Sequence, residues 1–427
     1  MNERLLHFIW QYQYYSPAGL TTHRGEKIQV VFPGQYNQNQ GPDFADARIR
    51  IGPALWIGSV ELHIKTSDWQ KHQHGSDENY RNVILHVVWQ HDQAATEDEH
   101  ADGANDIPVL ELQDRVSKLL LQRYDQLMQS PVFIPCENMA ASWSTPEWKA
   151  WQQQLAIIRL QRKAGSIFQQ LEQTNRHWEE VFWWQLARNF GMKVNADAFE
   201  AIARSIPLNL LARQRNQIHR LEALLLGQAN LLRKPFEEDY PAMLKKEYEF
   251  LRHQFGLRPA LTRLLFLRMR PVNFPTVRLA QLAALIQRSS HLFALIRETA
   301  DLSALRSCFQ VTANDYWHYH YRPDEPAPYS EKSVGDSMID SILINTVVPM
   351  LFAYSLYHND AAAREKALNW LRQTRAENNS LLSGFARLGI PAADAQDSQA
   401  LIELKTRFCD ARRCLDCEAG NGLLKNR

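Results

Sequence analysis

The hydrophobic period of this chain changes once, near residue 135, and that change limits the fold more than any other feature. Before it, apolar residues alternate. Residues 27–32 (KIQVVF), 45–51 (ADARIRI) and 55–66 (LWIGSVELHIKT) read as strands, the last two joined by Gly52 and Pro53 as a hairpin. Residues 83–89 and 107–112 read as further, largely buried strands, and 2–14 and 115–128 as flanking helices. After residue 145 the period is helical to near the end, with predicted helices that include 176–190, 213–227, 241–253, 258–268, 277–287 and 336–357. No fixed-period repeat occurs, so a regular solenoid is not supported. The reading is an α+β protein. An α/β part spans 1–130, a linker 131–144, an all-helical part 145–408 and a cysteine-bearing tail 409–427.

Charge bears on partners. Lys plus Arg (48) against Asp plus Glu (47) leaves a net charge of +1, so contact with nucleic acid must rest on local basic patches. The first fifteen residues lack the apolar core of a signal peptide. The longest uncharged run, 341–359, is interrupted by polar residues and reads as a buried helix rather than a membrane span. Five cysteines, an odd number mostly near one end, do not make a disulfide framework. The expected setting is cytoplasmic, with no membrane partner and an oligomeric state the sequence leaves open.

Chemistry concentrates on the hairpin. In 60–65 (VELHIK) the apolar Val60, Leu62 and Ile64 face one side of a strand, so Glu61, His63 and Lys65 share the other. Asp43 stands at the foot of the preceding strand, where hairpin pairing would bring its carboxylate beside Glu61. Two hard oxygen ligands at that spacing suit Mg²⁺ or Mn²⁺. Pro42 with Asp43, Glu61 and the predicted order helix, three strands, short helix, strand resemble the PD-(D/E)XK phosphodiesterase superfamily, the restriction-endonuclease-like αβββαβ fold. The resemblance covers residues 1–130. It implies that Asp43 and Glu61 bind metal and that a lysine two residues after the acid orients the attacking water. His63 occupies that lysine position here, and Lys65 lies one step further along the same face.

The next segment adds Asp68, His72, His74 and Asp77, with His86 on the following strand. They make a second cation site or a proton-relay set, or simply cap a short helix and fill a core. At the other end Cys409, Cys414 and Cys417 follow a C-x4-C-x2-C spacing, which resembles the iron–sulfur clips of some DNA glycosylases and nucleases. Cys136 is the candidate fourth ligand for zinc or an iron–sulfur cluster, and Cys308 reads as an inert buried thiol. Residues 250–297 carry eight arginines and no acid. Arg268, Arg270 and Arg278 bracket a proline-bounded loop suited to phosphate contact. The aromatic run 316–322 (YWHYHYR) suits base stacking or plain packing between helices.

Nearly end to end, the chain resembles an uncharacterised bacterial family of unknown function. The motifs that carry this are 41–44 (GPDF), 58–63 (GSVELH), 67–69 (SDW), 270–275 (RPVNFP) and the terminal cysteines. That likeness implies no activity. The functional expectation is a metal-dependent, nuclease-like phosphodiesterase acting on nucleic acid. The alternatives are a non-catalytic binding module on the same fold and a histidine-based metalloenzyme with another substrate.

Overall fold

The computed structural model describes the chain apart from residues 38, 73–76, 93–106, 139–145, 267–269, 290 and 426–427, and apart from the side chain at 425. The candidates His74 and Arg268 therefore lie outside the described residues. An N-terminal sheet is followed by a largely helical body. The chain divides into two compact units, Met1–Trp143 together with Thr406–Arg427, and Ser144–Lys405.

The first unit is built on a mixed sheet. Helix α1 (Glu3–Gln11) starts where the Asn2 side chain accepts the Leu5 N–H at 2.9 Å. Strands β1 (Ile28–Phe32), β2 (Gln35–Tyr36), β3 (Phe44–Ile51) and β4 (Ala54–Lys65) follow, then the single turn α2 (Asp68–Lys71), β5 (Val83–Gln90), β6 (Val109–Glu111) and α3 (Lys118–Gln129). The strand order is β1-β3-β4-β5-β6, with β2 beside β3. Pairing is antiparallel from β1 to β4 and parallel from β4 to β6. The β3–β4 hairpin is registered Ile51 to Ala54 at its turn and Phe44 to Val60 at its foot.

Two irregularities shape that foot. A bulge separates Phe44 from Ala47, with Asp46 in the left-handed region at φ 57°. Gly41, at φ 106°, turns the chain into Pro42 and Asp43 in a conformation that a side chain would strain. The Asn37 side chain donates to the Pro42 carbonyl at 3.0 Å, and its N–H donates to the Asp43 carbonyl at 2.7 Å, so the loop delivering Asp43 is stapled.

The helical unit begins with α4 (Pro146–Gln173), α5 (Trp178–Phe190), α6 (Met192–Arg204), α7 (Leu208–Gln214), α8 (Ile218–Gln228) and α9 (Asp239–Phe255). It continues through α10 (Pro275–Arg288), α11 (Leu292–Glu298) and α12 (Leu302–Phe309). A small two-stranded sheet, β7 (His320–Arg322) and β8 (Glu325–Pro326), comes next. The unit ends with α13 (Asp336–Ile342), α14 (Val348–His358), α15 (Ala361–Gln373), α16 (Ser380–Arg387) and α17 (Ala395–Glu403). A π turn, Leu343–Val347, joins α13 to α14 without a break. One continuous apolar core, including Trp183, Phe199, Leu224, Ile339, Val347 and Phe352, fills the unit. Among the described residues one helix, Asp336–His358, is long and apolar enough to cross a bilayer, and 72% of its apolar window is buried inside the protein.

One predicted helix is absent. Residues 258–266 are irregular, although their apolar spacing is helical. Gly256, left-handed at φ 62°, ends α9, and Pro259 then denies a backbone donor. Side-chain amides fix the extended path: Asn230 donates to the Ala260 carbonyl at 2.9 Å. Asn195 accepts the Leu265 N–H at 2.8 Å and donates to its carbonyl at 2.9 Å. The chain then returns to the first unit, where α18 (Glu418–Lys425) packs on α3.

Candidate functional site

Glu61 sits on β4 next to the hairpin foot, and Asp43 just precedes β3, so the register places the two side by side. The contact is reciprocal. The Asp43 N–H donates to Glu61 Oε2 at 3.0 Å, and the Leu62 N–H donates to Asp43 Oδ2 at 3.0 Å. Glu61 is 5% exposed. Burial, with the Asp43 charge adding to it, pushes its carboxyl up to about 8, against the pull of the Asp43 N–H. Near neutral pH Glu61 therefore keeps its proton beside Asp43, and a divalent cation would displace that proton and take both oxygens as ligands, so the donor chemistry fits a hard metal.

His63 follows on the same face of β4, 1% exposed, its Nε2 3.7 Å from Glu61 Oε1. Its Nδ1 lies 3.0 Å from His86 Nε2, and its Nε2 lies 3.2 Å from His72 Nδ1. Three imidazoles thus run in a row from the core strand β5 to the residue just after α2. His86 is registered opposite Glu61 in the parallel pair, which explains why a histidine that reads as a core residue belongs to the cluster.

The remaining sequence candidates separate. Lys65 does not join the carboxylates: its side chain is 48% exposed and its ammonium lies 4.0 Å from Asp92. Asp68 accepts the Lys65 N–H at 3.0 Å and the Lys71 ammonium at 2.6 Å; the latter bond, more than any other contact, holds its carboxyl below the usual range. Asp77 accepts the Asn79 N–H at 2.9 Å and caps a short turn. Both are turn residues in this structure.

Two side chains extend the site beyond what the sequence reading proposed. His7 Nε2 on α1 lies 3.1 Å from Asp43 Oδ2. Tyr80 is pushed up to about 12 by burial, with Glu61, Asp43 and Asp77 adding to it. The signal for His7 was present as a lone polar residue inside 5–10 (LLHFIW), where every neighbour is buried.

A family model described as a protein of unknown function, DUF2851, matches residues 3–380. The chain belongs to that family. The match takes in the hairpin of this DUF2851 protein and ends before its terminal cysteines. Neither the curated proteins nor the solved structures contain a match.

Cys136, Cys409, Cys414 and Cys417 are all buried and all in the first unit. Burial pushes the Cys136 thiol up to about 12, with Cys417 and Cys414 adding to it, and pushes Cys414 up to about 11. The four soft donors suit zinc or iron, yet among the described residues no group of three or more His, Cys, Asp or Glu forms a ready metal cage. Cys308 is in the helical unit and only partly buried.

The arginine loop resolves differently from a surface patch. Arg270 is exposed, but Arg278 is 7% exposed on α10, donating to Gln281 at 2.9 Å and to Asn273 at 2.6 Å. The aromatic run 316–322 packs inward in part, with Tyr319 half exposed. Trp317 is fully buried and donates to Glu222 at 2.9 Å, and Tyr316 stacks on His320 at 4.1 Å.

Proposed function

We propose that the sheet-bearing unit is a metal-dependent phosphodiesterase acting on nucleic acid. The observation that carries this is the Asp43–Glu61 pair, two carboxylates locked side by side at the foot of a hairpin in a desolvated pocket. The element order α1, β1, β3, β4, α2, β5, with antiparallel strands leading into a parallel pair, supports a restriction-endonuclease-like assignment of the sheet. Asp43 and Glu61 would hold Mg²⁺ or Mn²⁺, which when bound supplies charge neutralisation at the phosphate and acidifies a water. His63 is the base. It stands within 3.7 Å of Glu61, and the hydrogen-bonded imidazoles of His86 and His72 fix its ring and provide an exit for a proton. His7, 3.1 Å from Asp43, is placed to steady that carboxylate.

A second reading rests on His63 itself. An imidazole buried at 1% replaces the lysine of the superfamily pattern, and a binding module that has lost cleavage would tolerate that change. The assay that decides uses the full chain with Mn²⁺ or Mg²⁺ on single- and double-stranded DNA and RNA. Asp43→Asn and Glu61→Gln, which keep the acceptors that fold the hairpin, should each lower cleavage about a hundred-fold or more. His63→Ala should lower it by roughly 10²–10⁴, the usual weight of a general base. Lys65→Ala should leave it nearly unchanged. Binding of nucleic acid by the parent with no cleavage, or cleavage indifferent to the carboxylates, selects the binding module.

A further inference from the structure

The helical unit contains a cleft of about 840 Å³ that the phosphodiesterase reading does not use. It is strongly cationic. Arg162, Lys163, Arg188, Lys193 and Arg278 line it against one carboxylate, Glu200. Some of this charge is already neutralised within the protein: Arg188 lies 2.9 Å from Glu200, and Arg162 lies 2.7 Å from Glu403. Lys163 and Arg278 differ, because neither makes an ion pair among the described residues. Lys163 donates to Asn345 at 2.9 Å and to Gln399 at 3.3 Å, and Arg278 donates to Gln281 and Asn273. All four partners are neutral amides. The Arg278 Nε is buried and has no hydrogen-bond partner among the described residues.

Arg278 is buried on amides alone, and Lys163, partly exposed on the cleft wall, feels the carboxylates Glu377 and Glu403 only without a direct ion pair, so a charge of opposite sign in the cleft would complete the site. Burial accordingly draws Lys163 down to about 7 and Arg278 down to about 10. The π turn reinforces the reading, since it places Asn345 on the cleft wall, where its oxygen meets the Lys163 ammonium, and such turns recur at functional sites. A guanidinium fork matches phosphate oxygens, and a compact ammonium beside it adds charge. The volume lies toward the upper end of small-molecule sites, which run to roughly 1,000 Å³, so a bare phosphate ion would leave most of it unfilled. Further donors and acceptors on the wall, Asn189, Ser337 and Ser341, suit hydroxyls or a base edge.

We propose that this cleft binds a phosphate monoester of mononucleotide size, its phosphate neutralised by Lys163 and Arg278. The inference stands on the helical unit alone and does not depend on the phosphodiesterase reading. Isothermal titration calorimetry on the full chain in EDTA, which silences any metal-dependent reaction, tests it with AMP, GMP, UMP, ribose 5-phosphate, adenosine and inorganic phosphate. At least one phosphate ester should bind, with adenosine and inorganic phosphate at least about tenfold weaker. Lys163→Met and Arg278→Gln should each weaken the best ester by roughly ten- to a hundred-fold, the worth of one charged hydrogen-bonding group. Arg278→Lys should recover part of the loss, and the exposed Arg270→Ala should change nothing. If Lys163→Met or Arg278→Gln prevents folding, as circular dichroism would reveal, Lys163→Gln, which keeps a hydrogen-bonding head for Asn345 without the charge, replaces it and should weaken the best ester to the same extent. Failure of every ester to bind the parent overturns the proposal. So does adenosine or inorganic phosphate binding as tightly as the esters, or binding indifferent to the folded variants.

Discussion

At the residue scale, burial decides what a titratable group does here. Glu222 on α8 is fully buried, and its Oε2 accepts from Tyr240 and from Trp317 at 2.9 Å each. Burial pushes its carboxyl from 4.5 up to about 7 against those two hydrogen bonds. The sign follows from proton uptake. Between about 4.5 and 7 the folded chain holds a proton that the unfolded chain has released, so stability falls as pH rises through that window. The contribution is fully present below 4.5 and fully lost above 7, and it amounts to roughly 3 kcal/mol. Glu222→Gln removes the titration. Urea unfolding of parent and variant at pH 5 and pH 8 should show the difference moving in the variant's favour by up to that amount, while a difference independent of pH would place the burial cost elsewhere. The same logic separates His63 from Lys65. Alternation put both on one face, but only His63 lies deep enough to meet Glu61, because β4 runs out into solvent two residues later.

At the scale of elements, legibility tracked whether the ordering force was local. The hairpin, its register and the Asp43–Glu61 pairing were readable because strand alternation, the Gly52–Pro53 turn and the loop before Asp43 all act within a short stretch. The imidazole row was only half readable: parallel pairing joins β4 to β5, and nothing in the sequence states that register. The missing helix at 258–266 shows the opposite case, helical spacing overruled by distant side chains. Asn195, buried in α6 and itself off helical geometry at φ −114°, clamps both polar groups of the Leu265 peptide. Asn195→Ala removes two hydrogen bonds and should cost about 1–3 kcal/mol. Asn195→Asp keeps the N–H acceptor but sets a carboxylate against the Leu265 carbonyl, and should cost more. Thermal unfolding of the helical unit measures both, and equal stability for all three proteins would mean the segment is held by something else.

At the scale of the whole molecule, both ends of the chain belong to the sheet unit, so the helical unit, 144–405, is an insertion within it. Sequence order sets the tail apart as 409–427, and the pairing of Cys136 with the terminal cysteines is the one sequence signal that expects its return. The returning segment is held by many small ties: Arg4 pairs with Asp416, Arg412 donates to the Ser130 carbonyl, and Arg123 donates to the Leu423 carbonyl at 3.5 Å. The exposed Arg4–Asp416 pair contributes little, and the two part-buried hydrogen bonds to carbonyls are modest. The buried thiols are the stronger candidate for closure, because a metal on Cys136, Cys409, Cys414 and Cys417 would join positions about 270 residues apart, and closing a long loop removes the most chain entropy. Deleting 406–427 should therefore lower the unfolding midpoint of the sheet unit and leave that of 144–405 in place. We propose that a bound metal accounts for the larger share. Freshly prepared protein should carry about one zinc, or the iron of one cluster, per chain, the latter visible as brown colour. Cys136→Ser should then release that metal and lower the sheet unit's midpoint as far as Cys414→Ser does, while Cys308→Ser does neither. Metal analysis that finds neither zinc nor iron, or a Cys136→Ser protein that keeps its metal, would leave the tail held by packing and its arginine contacts alone.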